Sequence, residues 1–530
     1  MGALRLLLLC AIAATLVAGA PAFAASPPAH YRLSAEQATR IALHSADGRQ
    51  LLGTAPGAHA IATRPDAGLW QVRLVAAGRT AGSVLVEDRA ARTLEASPWA
   101  WPRADAGPMN AFKTEVELAM LALAAIFAAA LADLRRIASW RNADVLAILS
   151  LGVSFALYDR GHPLVSVPLL YPPLIYLAAR MVALGLGRGR RTVRGPSTRV
   201  LGALLVAAVA VRVGFHMLLG QTTDVTYAGV FGADSILHGW PLYVADNGHL
   251  DTYGPAAYLA YVPASLLWPM TDWARGALTA GRATALVVDL ATIAALLRLG
   301  PRVRGGEEGR RLGLLLALAF AASPWTFLNV ALSTNDGLVA LALVALLYAL
   351  NRPALRGAIL GIAAATKLAP LALIGLVARG SWRAAAVTAA AMAATIAVLV
   401  AAVHPTSLGV VYDNVVGFQL QRRSFLSIWG QYPQLGPLKP VLEAALLACG
   451  AAVALRPRKL DLAQTAALGA GLLVALQLVA QYWTYTYAGW AMPMIAAAVL
   501  APAQSSVTAR ATAVRRLPAA TAATPAGSSA

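Results

Sequence analysis

The chain runs to 530 residues, 58% of them hydrophobic and 13% charged, with a formal charge of +19 and a mean hydropathy of +0.63. A soluble protein of this length would need a surface richer in charge, whereas apolar runs of about 20 residues recur here, as in a polytopic helical membrane protein. The arginines gather in short segments between those runs, the positive-inside pattern, which argues against the nucleic-acid partner that so basic a chain would otherwise suggest. Cys10 and Cys449 both lie in apolar stretches and imply no disulfide framework.

The N-terminus, "MGALRLLLLCAIAATLVAGAPAFAAS", has an early arginine, an apolar core and the small-residue motif Ala22-Phe23-Ala24. Residues 1–24 therefore read as a secretory signal peptide. An uncleaved first helix fits the same residues, and either reading sends the next segment outside. Residues 25–108 are polar enough for a small extracytoplasmic α+β domain. In "LSAEQATRIAL", Ser34 is placed to cap a helix, with Gln37 at the capping-box position. "LWQVRLVAAGRTAGSVLVEDRAARTLEA" alternates apolar and polar residues around Gly82 and around Asp88-Arg89, as short hairpin strands do. Helix followed by a small antiparallel sheet resembles a PepSY-type domain. It carries no catalytic constellation, so an accessory or docking role is expected of it.

From Glu115 onward apolar segments follow one another closely. Residues 109–197 hold the first membrane helices and 198–502 a second membrane unit, with 503–530 a disordered cytoplasmic tail. About 11 spanning helices are expected, near 113–133, 143–158, 163–186, 199–219, 283–300, 311–331, 335–351, 383–403, 438–455, 462–482 and 485–502. Basic clusters such as Arg135/Arg136/Arg141, Arg302/Arg304/Arg310/Arg311 and Arg379/Arg383 separate them and are assigned to the cytoplasmic side. On that assignment "PAAYLAYVPASLLWP", short and rich in proline, is an interfacial or re-entrant helix. "AILGIAAATKLAPLALIGLVARG" must enter and return, breaking at Lys367-Leu368-Ala369-Pro370. The segment 220–254, with Asp224, Asp234, Asp246 and Asp251, then faces outside.

The order Asp224, Tyr227, "ILHGWPLY" and "TYGPAAYLAYVPASLLWP" resembles the first external loop of the C-type glycosyltransferases. "SPWTFLNVALSTNDG", "GAILGIAAATKLAPLAL" and "RRSFLSIWGQYP" follow in sequence. The family most similar is glycosyltransferase family 87, the polyprenyl-phosphate-mannose-dependent mannosyltransferases, over roughly residues 198–500. One departure is Tyr253-Gly254-Pro255, where the family has a Tyr-Pro-Pro-like motif. The resemblance implies a multi-pass enzyme of the cell (inner or plasma) membrane with its active-site loop outside. Its partners would be a polyprenyl-phosphate-sugar donor, an envelope glycan or glycolipid acceptor and the bilayer. No cofactor is implied, and a divalent metal is left open.

Such chemistry needs a base for the acceptor hydroxyl and cations for the departing phosphate. Asp224 is the candidate base, against a solvated loop aspartate. Asp234 is an acceptor-binding or structural residue and the base should Asp224 face away. Asp246 and Asp251 read as turn formers. Lys367 interrupts an apolar hairpin and needs an anion or a partner, unless it snorkels to the interface. Arg422 and Arg423 are further candidates, as are Arg212 and His216, which share a helix face. Packing is the stronger reading of His216. Tyr227, Tyr243 and Tyr253 complete the expected substrate contacts, and Trp240, Trp429 and Tyr432 suit either sugar stacking or an interfacial belt. A secondary transporter or flippase is the rival reading; Asp289, a carboxylate inside an apolar run, favours it.

Overall fold

The computed structural model describes residues 31–54, 57–66, 69–76, 79–88, 91–98, 114–160, 162–188, 196–243, 251–269, 273–422, 424, 426–455 and 460–501. The signal peptide, the C-terminal tail, Asp246 and Arg423 lie outside them.

In the N-terminal part, Ser34 accepts from the Gln37 amide and the Gln37 side chain reaches back to Ser34, the expected capping box, at the head of helix Ala35–His44. Helix Ala46–Thr54 and a four-stranded antiparallel sheet follow: β1 His59–Asp66, β2 Leu69–Ala76, β3 Arg79–Glu87 and β4 Arg92–Pro98, in the order β1-β2-β3-β4. Alternation sends Trp70, Val72 and Leu74 of β2, and Val84 and Val86 of β3, into one core with Ala38 and Ala42. Gly82 does not turn the chain as its neighbours in sequence suggest. It lies within β3 opposite Leu74, where the register slips, the usual mark of glycine inside a strand. Asp88 is buried and accepts from the Trp70 indole at 3.1 Å and from the amides of Arg32 and Leu33 at 2.7 and 2.9 Å, joining sheet and leading segment.

The remainder is helical. Among the described residues eight helices are long and apolar enough to cross a membrane: Thr114–Leu131, Trp140–Asp159, Pro163–Gly185, Thr198–Leu219, Thr279–Val303, Trp382–Ala401, Leu438–Leu455 and Leu462–Val479. The chain is thus a multi-pass membrane protein. Gly306–Ala321 and Pro324–Ala331 make a ninth when taken together, bent by 60°. The bend falls at Ser323-Pro324, where proline has no amide to continue the ladder. Two of the eleven expected spans are shorter. Asp336–Ala349 has 14 residues and Met492–Leu500 has nine, about 21 and 14 Å of helix against a hydrocarbon layer of about 30 Å.

Two apolar stretches are each broken into short helices. "PAAYLAYVPASLLWP" breaks into Pro255–Leu259 and Val262–Leu267. Pro353–Ala364 is followed, past a break at Lys367, by Ala369–Leu373 and Ile374–Val377, the two sides forming a hairpin. Arg356 ties the base of that hairpin, donating to the carbonyls of Leu350 and Arg379 and to Thr388 Oγ1.

The interior also absorbs buried charge. Arg212 is fully buried and grips Asp289 through both Nε, at 2.9 Å, and Nη2, while Nη1 reaches the Ala321 carbonyl at 3.1 Å. The pair joins the Thr198–Leu219 and Trp273–Val303 helices next to the bend.

Candidate active site

The segment after the Thr198–Leu219 helix is itself mostly helical. Gln221 donates its amide to the Ala331 carbonyl at 2.7 Å, and Thr223 starts a helix, Asp224–Leu237. Thr226 closes the first turn: its hydroxyl accepts from the Thr223 amide at 3.1 Å and donates to the Ser333 carbonyl at 2.8 Å. Asp224 is therefore the first helical residue, exposed, where a negative charge complements the helix dipole. One face of this helix is small because Gly229 and Gly232 receive the rings of Tyr261 and Tyr258; a methyl group at either would collide with them.

Tyr253-Gly254-Pro255 docks on the break in the hairpin. The Ala256 amide donates to the Ala365 carbonyl at 3.0 Å, and a Cβ on residue 254 would run into that same oxygen. A proline at this position would clash, so the departure from the family motif has a local steric cause. The docking brings Lys367 over the Tyr253 ring, 5.3 Å from its centroid. Lys367 does not snorkel. Its side chain is 8% exposed, and its Nζ lies 2.5 Å from Asp336 Oδ1 and about 5 Å from the ring centres of Tyr487 and Trp490. The Trp490 indole N–H donates to the same carboxylate oxygen at 2.7 Å.

Arg422 approaches from the segment 404–437. Its guanidinium covers the Tyr482 ring at 3.6 Å and lies 5.3 Å from the Phe418 ring. It ends a helix whose middle, Asp413–Gly417, is wound as a π-helix between Leu408–Tyr412 and Phe418–Gln421, a device common at functional sites. Asn414 and Gln419 on this helix donate to Asp251 Oδ2 and to the Thr252 carbonyl, at 3.3 and 3.2 Å. Asp251 is thus a buried clamp at its turn, holding the Arg422 helix beside Tyr253. The charge of Asp224 acts on Lys367, Arg422, Tyr253 and Tyr482. Two cations, two carboxylates and the rings of Tyr253, Tyr482, Tyr487 and Trp490 consequently share one electrostatic neighbourhood.

The other sequence candidates lie elsewhere or act differently. Arg212 is committed to Asp289, and that partner also accounts for the carboxylate that favoured transport. His216 is buried with Nδ1 2.8 Å from the Val330 carbonyl, the packing role. Tyr243 is buried and donates to the Tyr253 carbonyl at 2.6 Å, so it supports the site from behind. Tyr227, one turn after Asp224, is partly buried. Asp234 sits in the last turn of its helix, 3.5 Å from His238; burial raises its carboxyl above the ordinary value and His238 opposes the rise. Trp429 is buried and donates to the Leu478 carbonyl, while Tyr432 donates to the Leu164 carbonyl. Asp336, Tyr482, Tyr487 and Trp490 were not expected. Asp336 stands in the quoted "STNDG", a carboxylate between apolar runs, which is the signal that marks it. Among the described residues there is no group of three or more His, Cys, Asp or Glu placed to hold a metal ion.

No curated protein matches the chain. Residues 252–503 match the model of glycosyltransferase family 87. That range contains Tyr253, Asp336, Lys367, Arg422, Tyr482, Tyr487 and Trp490, and over it the chain is similar to the membrane glycosyltransferases of family 87.

Proposed function

We propose that the protein transfers a sugar, mannose or a related hexose, from a polyprenyl-phosphate donor to a hydroxyl of an envelope glycan or glycolipid at the outer face of the cell membrane. The observation that carries this reading is the cluster of two partly enclosed cations, Lys367 held by Asp336 over Tyr253 and Arg422 over Tyr482, with the exposed carboxylate of Asp224 within electrostatic reach. Glycosyl transfer needs opposite charges at the two ends of the reacting bond.

The acceptor oxygen attacks the anomeric carbon and forms the new C–O bond while its proton passes to Asp224. The bond from the anomeric carbon to the phosphate oxygen breaks, and polyprenyl phosphate leaves with both electrons. Attack opposite the leaving group inverts the anomeric centre. Arg422 offers five N–H groups in a planar fork, and Lys367 keeps two N–H groups after bonding Asp336; both stabilise the added negative charge on the phosphate. The rings around Lys367 orient its ammonium and keep water from it. Tyr253 and Tyr482 offer apolar faces to the sugar or the first isoprene units.

The test is to incubate purified protein with radiolabelled polyprenyl-phosphate sugars and a membrane extract, and to follow label into a new lipid or glycan. Transfer that requires the intact phosphodiester-linked donor supports the reading. Movement of label across sealed vesicles without a new glycosidic bond would instead favour a flippase.

A further inference from the structure

The run Ser333-Thr334-Asn335, between helices Pro324–Ala331 and Asp336–Ala349, holds polar side chains that the fold leaves unused. The three residues are 0%, 5% and 2% exposed, yet Ser333 Oγ, Thr334 Oγ1 and both side-chain atoms of Asn335 have no hydrogen-bond partner in the protein. Leaving one such group unpaired is costly, and native interiors hold few of them. Asn335 sits at the N-cap, where an asparagine ordinarily spends its oxygen on the helix amides, but here it makes no such bond. Ser333 also has φ +51°, in the left-handed region that non-glycine residues seldom adopt.

The position of this run gives the unused groups a purpose. Its Ser333 carbonyl is bonded by Thr226, in the first turn of the Asp224 helix. Its next residue, Asp336, bonds Lys367. The run therefore links the candidate base to the candidate phosphate cation, and in the proposed reaction the sugar ring must lie between those two. A carboxamide with two donors and an acceptor, flanked by hydroxyls, matches the mixed donor and acceptor pattern of vicinal sugar hydroxyls.

We propose that Thr334 and Asn335, with Ser333, form the hydroxyl-binding wall for the donor's hexose ring, and that they set the enzyme's preference among donor sugars. This rests on the donor reading above. Ordered water is the alternative occupant.

The experiment measures binding of full-length protein in nanodiscs to bare polyprenyl phosphate and to its mannosyl, glucosyl, galactosyl and arabinosyl derivatives. The wild type is expected to prefer one sugar lipid over the bare lipid. Asn335→Ala and Thr334→Val should each lose about ten- to hundredfold of affinity for that sugar lipid and keep their affinity for the bare one. Thr334→Val preserves shape and guards against a folding defect in the asparagine variant. Equal weakening of both lipids would assign the run to structural water, and unchanged binding of the sugar lipid would remove it from the site; either overturns the inference. A wild type that binds bare polyprenyl phosphate but prefers none of the sugars overturns it too, while leaving the phosphate site standing. Failure to bind any of the lipids would remove the donor reading and this inference with it.

Discussion

Lys367 and Asp336 form a buried ion pair at 2.5 Å across 31 residues of sequence, joining the break after the Pro353–Ala364 helix to the first residue of the Asp336–Ala349 helix. Such a pair is poorly exposed to solvent screening, and removing one partner strands the other charge, at a cost of about 3–5 kcal/mol. Lys367→Met and Asp336→Asn should each lower the thermal unfolding midpoint clearly. The double variant Lys367→Met/Asp336→Leu should recover much of that loss. Donor binding should not recover with it: it should stay about ten- to hundredfold weak wherever Lys367 is absent, and Lys367→Arg should retain part. Unfolding measurements and donor binding on the same preparations separate the two roles. Normal donor binding in Lys367→Met would take Lys367 out of the site.

Gly254 offers a steric test of how the hairpin is positioned. A methyl group there would strike the Ala365 carbonyl, which already accepts from the Ala256 amide. Relief requires moving the Thr366-Lys367 turn, and misplacement of reacting groups by about 1 Å can cost about 10²-fold in rate. Gly254→Ala should therefore reduce turnover at least about tenfold. Gly305→Ala, at a position with open space around its Cα, is the matched control and should leave turnover unchanged. A normal rate in Gly254→Ala would mean that the docking of Tyr253-Gly254-Pro255 does not set the site.

Sidedness can be checked independently of chemistry. In a background lacking Cys10 and Cys449, a cysteine at Gly409 should react with an impermeant thiol reagent in intact cells, and one at Gly305 only after permeabilisation. Both positions are exposed, so a lack of labelling reflects side rather than burial. The reverse pattern would place Asp224 on the cytoplasmic face and overturn the outer-face assignment.

Which of these relationships can be read from sequence depends on their range. The capping box at Ser34 and Gln37 is visible because both partners lie within one turn. The break at Lys367 is visible because a lone cation interrupts an apolar run. Its partner is not, since Asp336 reads equally well as an acidic residue opening a helix. Arg212 and His216 show the converse. Their spacing places them on one face, but spacing does not say what that face meets. Arg212 meets Asp289, 77 residues away, and His216 meets a backbone carbonyl. Tyr487 and Trp490 fall in 485–502, where a continuous apolar helix is expected, so nothing in the sequence singles them out. The chain instead makes a short 3-10 turn at Tyr485–Gly489 that presents both rings to Lys367.

The assignment of Asp224 as the base carries the sharpest consequence. It is exposed at the head of its helix, so a carboxamide can replace it without stranding a buried charge. Asp224→Asn loses only the small dipole contribution of an acidic first-turn residue, about 0.3–1 kcal/mol. Folding and donor binding should therefore be close to normal. Turnover should fall by roughly 10²–10⁴-fold, the usual loss when a general base is removed. Asp234, ten residues along and paired with His238, is the built-in comparison. Asp234→Asn should affect the apparent affinity for acceptor more than the maximal rate. The decisive measurement is turnover at saturating acceptor for both variants, after equal donor binding has been confirmed. Collapse in Asp234→Asn with near-normal turnover in Asp224→Asn would transfer the proton to the far end of the helix. Normal turnover in both would leave the acceptor hydroxyl without a base on this helix and sink the mechanism.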